Sequence, residues 1–238
     1  MALHFSKEEF SNRKNKVLNS MKEQNINALL IFRQESMYWL TGYDTFGYVF
    51  FQCLVLKDNG EIVLLNRAPY LRQAQNTSNI ENIKIWVDKD ASNPTDDLKK
   101  ILDELNLKGK NLGIEYEAYG LTGRNTLKLN KSLDNFCSIQ DKSELITKLR
   151  VVKSNKEIIY TLIAKLGNTL PDPQKCFLSS LLEKVKYEGG SLLKYIEILA
   201  YKAREFASGS STSFKNIRPA SMYVAARSLG QVAKKLKN

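Results

Sequence analysis

Apolar positions over residues 7–24 recur at helical spacing. Phe10, Val17, Leu18 and Met21 share one face and lysines occupy the others, which predicts an amphipathic helix. Ser6, followed three residues later by Glu9, supplies a capping box to start it. Asn25 and Asn27 interrupt the pattern, and residues 28–32, Ala-Leu-Leu-Ile-Phe, form an unbroken apolar run of strand length. Gln34–Leu40 predicts a helical turn closed at Thr41-Gly42, where Gly42 can take the positive φ of a C-cap. Two strands follow, Tyr48–Leu56 and Glu61–Leu65. Between them, Asp58-Asn59-Gly60 places Asn and Gly where a tight hairpin needs left-handed residues.

From there the pattern alternates. Strands are predicted at Ile83–Val87, Leu112–Glu115 and Phe136–Ile139, and helices at Pro94–Leu105, Thr122–Lys131 and Ser143–Arg150. Strands spaced by helices of about ten residues predict an α/β domain over residues 1–150, a mixed sheet flanked by helices. The hairpin makes the sheet only partly parallel. Residues 151–238 read differently: helices at Lys156–Asn168, Lys175–Tyr187, Leu192–Ala207 and Ser221–Lys237 are separated by prolines, glycines and a Gly-Ser-Ser-Thr-Ser stretch at 209–213. They predict a linker helix and a short, basic, all-helical extension.

Charge sharpens that division. The 238 residues carry a net +11, yet residues 151–238 hold fifteen Lys and Arg against six Asp and Glu. A tail this basic could draw an acidic protein or nucleic acid through counterion release, although its lysines are dispersed as on a solvated helix surface. No run approaches the ~18 apolar residues of a membrane span, and the N-terminus lacks a secretory pattern. The expectation is a cytoplasmic protein with no membrane partner. Three scattered cysteines fit neither a disulfide framework nor a zinc site. A single histidine, His4, leaves little room for imidazole chemistry.

At residues 28–43 the chain reads Ala-Leu-Leu-Ile-Phe-Arg-Gln-Glu-Ser-Met-Tyr-Trp-Leu-Thr-Gly-Tyr. With the helix before it and the hairpin ending at Asn66-Arg67 after it, this stretch resembles the N-terminal domain of the creatinase/prolidase (aminopeptidase P-like, "pita-bread") superfamily. Residues 144–158, Glu-Leu-Ile-Thr-Lys-Leu-Arg-Val-Val-Lys-Ser-Asn-Lys-Glu-Ile, resemble that family's linker, often of the form LRxxKSxxEI. The resemblance spans about residues 6–165. It implies a creatinase N-terminal-like fold that forms a homodimer and lends a loop to the neighbouring subunit's active site. Tyr43, Asp44, Phe46 and Arg67 are the positions it singles out for substrate contact. Arg67 follows a strand end and could grip a carboxylate with two parallel N–H bonds; a surface ion pair is the structural alternative.

In that family a second domain carries the reaction, often on two divalent ions held by two Asp, one His and two Glu, because hard cations need several anionic oxygens. After residue 150 this chain offers Glu157, Asp172, Glu183, Glu188, Glu197 and Glu205, and no His. The expectation is a chain without metal or other cofactor of its own and without the family's catalytic residues: a truncated or degenerate relative serving dimerisation and substrate-site shaping. The alternative is a fragment of a metal-dependent Xaa-Pro aminopeptidase or amidohydrolase, completed by a missing segment or a partner. Elsewhere, Cys53 lies among Phe50, Phe51, Leu54 and Val55 and reads as buried and inert without an imidazole base. Asp96 and Asp97 fit a helix start, where carboxylates oppose the dipole.

Overall fold

The first helix forms where its caps and apolar face predict it. α1 (Lys7–Glu23) begins with the Ser6 side chain accepting from the Glu9 N–H, and buries Phe10, Val17 and Met21. Asn25 then turns the chain at φ 54° into β1 (Ala28–Ile31). The computed structural model describes residues 3–90, 92–167 and 198. The chain divides into two units, Met1–Val152 and Lys153–Asn238.

In the first unit, β1 is followed by α2 (Gln34–Thr41), β2 (Cys53–Lys57), β3 (Ile62–Arg67), α3 (Leu71–Thr77) and β4 (Asn82–Trp86). Then come α4 (Pro94–Glu104), β5 (Asn111–Ile114), α5 (Gly123–Leu133), β6 (Ser138–Asp141) and α6 (Ser143–Val151). The six strands make one mixed sheet in the order β4-β3-β2-β1-β5-β6. β1, β2 and β3 pair antiparallel in sequence; β3 with β4, β1 with β5 and β5 with β6 pair parallel. The predicted α/β class and mixed sheet are both present.

Both faces of the sheet are covered, so alternate residues of one strand enter different cores. Leu30 and Phe32 join Leu98, Leu102, Leu129 and Leu133 from α4 and α5. Leu29 and Ile31 join Val17 and Met21 of α1, Met37 and Leu40 of α2, and Ile146 of α6. Each such side chain, fully buried, stabilises the fold by roughly 1.5–3 kcal/mol. Gly42 ends α2 at φ 80°, its N–H donating to the Tyr38 carbonyl, as the C-cap expectation required.

Two elements depart from the sequence pattern. The predicted strand Tyr48–Leu56 begins only at Cys53, because Phe46–Val49 is a 3-10 turn. Thr45 explains it: its Oγ1 accepts from the Gly47 N–H at 2.9 Å and turns the backbone away from the sheet, the local competition with strand pairing available to Thr. The second departure is α3, which follows a short 3-10 turn at Ala68–Tyr70; only Ala74 of this helix is buried. A helix with so small an apolar contact carries no periodic signal.

In the second unit, α7 (Asn155–Gly167) starts at a reciprocal capping box. The Ser154 N–H donates to Glu157 Oε2 at 2.8 Å and the Glu157 N–H to Ser154 Oγ at 3.3 Å. That exchange gives the Lys-Ser-Asn-Lys-Glu run a physical purpose. The helices predicted at 175–187, 192–207 and 221–237, and the stretch 209–213, lie outside the described residues, Ile198 excepted. Among the described residues no helix is long and apolar enough to cross a membrane.

Candidate functional site

β1 and β5 lie side by side and parallel, but their continuations diverge. The chain leaves β1 through α2 toward β2 on one side, and leaves β5 through α5 toward β6 on the other. A crevice opens where parallel neighbours part in this way. Here it holds about 450 Å³ and is lined by Arg33, Gln34 and Glu35 after β1, Glu117 and Tyr119 after β5, and Tyr48 from the 3-10 turn.

Its walls are tied together. Arg33 Nε donates to the Glu117 carbonyl (3.0 Å), Nη2 to Glu117 Oε2 (2.8 Å) and Nη1 to Thr147 Oγ1 (2.6 Å). The rings of Tyr48 and Tyr119 meet nearly edge-to-face with centroids 5.7 Å apart. Beneath them Glu115 is wholly buried; its carboxylate accepts from Ser36 Oγ at 2.7 Å and from the Arg33 N–H at 3.1 Å. Burial pushes its pKa up from 4.5 to about 7, against the opposing pull of those two bonds and the Arg33 charge. Glu115 thereby joins the end of β5 to the start of α2.

Beside the crevice, residues 43–50 form a loop that exposes Phe46 (83%), Val49 (49%) and Phe50 (38%). Its support is closely packed. A Cβ on Gly47 would stand 2.7 Å from the Tyr70 ring, and one on Gly120 only 2.2 Å from the Phe50 carbonyl oxygen, so backbone and ring sit where no side chain fits.

The four positions singled out from sequence fall in different environments. Tyr43 is fully buried; its hydroxyl donates to Gln52 Oε1 at 3.3 Å, its carbonyl accepts from Gln34 Nε2, and burial raises its pKa to about 12. It sits inside the protein behind the loop. Asp44 and Phe46 are exposed on the loop. Arg67 is held in an ion pair, its Nε donating to Asp88 Oδ2 at 2.5 Å, with its guanidinium 4.1 Å from the Phe50 ring centroid. The structural alternative for Arg67 is what the structure contains. Nothing in the sequence marked Arg33, Tyr48, Glu115, Glu117 or Tyr119 as neighbours. For all but Tyr48, which lies in the 3-10 turn, the one signal was position just past two strand ends, and the pairing of β1 with β5 was not readable there.

Cys53 is buried, and burial raises its thiol pKa well above the ordinary value, with Glu115 adding to the shift; a thiol so held is a poor nucleophile. His4 Nδ1 lies 2.7 Å from the Tyr38 hydroxyl. Among the described residues no group of three or more His, Cys, Asp and Glu side chains could hold a metal ion. A dinuclear centre therefore does not fit the donors described.

Comparison with known proteins bears on this geometry. Residues 13–152 match the profile of the creatinase/prolidase N-terminal domain. An uncharacterised hydrolase/peptidase of Sinorhizobium fredii is 27% identical over 165 residues, 66% of this chain and 42% of the relative. Ectoine hydrolase of Halomonas elongata is 28% identical over 171 residues, 69% of this chain and 43% of the enzyme. Among solved structures, a dipeptidase from Pyrococcus horikoshii aligns with a TM-score of 0.52 at 21% identity, covering 66% of this chain and 42% of that one. The Xaa-Pro dipeptidase of Bacillus anthracis gives 0.51 at 18%, covering 76% and 50%. At these identities the solved structures speak to fold alone. The chain spans less than half the length of the curated relatives it matches.

Proposed function

The chain belongs to the creatinase/prolidase N-terminal domain family, and from that premise we propose that its α/β unit is a non-catalytic module of a creatinase or Xaa-Pro peptidase-type hydrolase. It pairs with a second copy and shapes a substrate site through the 43–50 loop. Asp44 and Phe46 meet the ligand, while Tyr43 from inside and Arg67 through Phe50 fix the loop. The observation that carries this reading is the loop itself: an aromatic segment with Phe46 83% exposed on a support that leaves it no slack. Apolar rings exposed to water on a closely packed frame are the mark of a surface meant to be covered.

The reacting groups would come from outside residues 3–152, as would the ligands of any pair of divalent ions. A second reading is that the chain is part of a metal-dependent Xaa-Pro peptidase or amidohydrolase, completed by another segment or subunit. It is favoured by the share of the relatives that the chain covers, 42% and 43%.

Sedimentation velocity tests the pairing. The wild type is expected to run as a dimer, and Phe46→Asp, at an exposed position, as a monomer with an unchanged melting temperature. Equal sedimentation of the two would refute the role of the loop. Purified chain with Mn²⁺ should leave Xaa-Pro dipeptides intact, and hydrolysis by the chain alone would overturn the non-catalytic assignment. Hydrolysis that appears only with a co-purifying subunit would establish the second reading.

A further inference from the structure

The crevice between the ends of β1 and β5 borders the 43–50 loop, which lends it Tyr48, but the rest of its lining lies outside that loop. Its lining combines two features that seldom serve packing alone. One is a guanidinium whose orientation is already fixed. Of the five N–H donors of Arg33, three are engaged, by the Glu117 carbonyl, Glu117 Oε2 and Thr147 Oγ1. One N–H on each terminal nitrogen is left over, and the side chain is 18% exposed. A guanidinium held in place loses little freedom when a carboxylate arrives, so its remaining donors are preorganised.

The other feature is an aromatic pair in the same lining. The Tyr48 and Tyr119 rings stand edge-to-face there, 38% and 75% exposed. The carboxylates of Glu35 and Glu117 line the same crevice. Ring faces attract cations, quaternary ammonium above all, and nearby carboxylates strengthen that attraction. Arg33 and Arg150 are balanced by Glu35 and by Glu117, the last paired to Arg33 itself, so the charged residues of the lining sum to zero. A simple anion or a simple cation therefore finds like charge as well as opposite charge in the lining. A molecule carrying both charges can set each against its opposite.

We propose that this crevice binds a compact zwitterion, its carboxylate on the spare donors of Arg33 and its cationic end against Tyr48 and Tyr119. The volume of about 450 Å³ suits a molecule of amino-acid size or slightly larger. The inference goes beyond the loop-mediated pairing and does not rest on it: the crevice is formed within a single chain.

Isothermal titration of the full chain with glycine betaine, choline and acetate tests it. Glycine betaine carries both charges, choline only the cation and acetate only the carboxylate. Saturable binding of betaine is expected, at least roughly fivefold tighter than either single-charge probe, and roughly fivefold weaker in Tyr119→Ala and in Glu35→Gln. Both substitutions fall on exposed side chains, so the melting temperature should not move and lost binding cannot be read as lost fold. Absence of saturable binding would overturn the proposal. So would equal affinity for the three probes, or variants that bind betaine as the wild type does. Each of these outcomes is independent of the sedimentation result for Phe46→Asp.

Discussion

Gly120→Ala is expected to destabilise the first unit by about 2 kcal/mol or more, and to release the 43–50 loop from its place. The added Cβ would stand 2.2 Å from the Phe50 carbonyl oxygen and 3.0 Å from both the Phe50 carbonyl carbon and the Tyr48 oxygen. These are backbone atoms, which cannot rotate aside as the end of a side chain can. Overpacking of this kind commonly costs ~1–3 kcal/mol, or roughly 2–4 °C of melting temperature per kcal/mol in a chain of this size. The loop must move out, taking Tyr48 from the crevice wall and Phe50 from beneath Arg67. Thermal melting checks the first effect. Hydrogen exchange at the Phe50 N–H, which donates to the Gly47 carbonyl, checks the second. An unchanged melting temperature together with unchanged exchange would show that the loop does not rest on Gly120.

Glu115 should make the fold less stable as pH rises from about 4.5 to about 7. An exposed glutamate in the unfolded chain loses its proton near 4.5, whereas the buried Glu115 keeps its proton until about 7. Across that window the folded state binds more protons, so ΔG of unfolding falls with increasing pH. Below the window this contribution is fully present, and above about 7 it is gone. At 1.36 kcal/mol per pKa unit the fall is on the order of 3 kcal/mol.

Glu115→Gln cannot ionise and should remove this slope, leaving the variant relatively more stable than wild type at pH 8 than at pH 5. Urea unfolding of both proteins at the two pH values measures it, and taking the difference cancels groups that titrate alike in each. One such group acts outside the window: bonds from the Ser143 hydroxyl and N–H hold Asp141 below the ordinary carboxylate range, so its contribution is lost only at more acid pH. Parallel pH profiles for wild type and Glu115→Gln would mean that Glu115 titrates in the folded protein as it does in the unfolded chain.

Both expected effects arise at contacts between segments far apart in the chain, and this marks the boundary of what could be read from sequence. Local chemistry was legible. Ser6 and Glu9 start α1, Gly42 ends α2, and Asp58-Asn59-Gly60 turns β2 into β3, because a cap or a turn is settled by residues within four positions of one another. Period also sufficed for the α/β class: strand-length apolar runs between amphipathic helices leave few ways to cover both faces of a sheet. The same local rule misled at Tyr48–Val49, where an aromatic run resembles a strand until Thr45 bends it.

Only the tertiary structure decided that β5 pairs with β1, 84 residues apart at Leu29 and Gly113 and still parallel. That single pairing sets Glu115 beneath Arg33 and Ser36, brings Glu117 to the Arg33 guanidinium and Tyr119 to Tyr48, and opens the crevice. Tyr43, next to exposed Asp44, is likewise buried by tertiary packing, in the core that Met37, Leu54 and Leu64 also enter. Strand order depends on which apolar faces pack best once the chain has folded back, and that choice is made by contacts with no counterpart in local pattern.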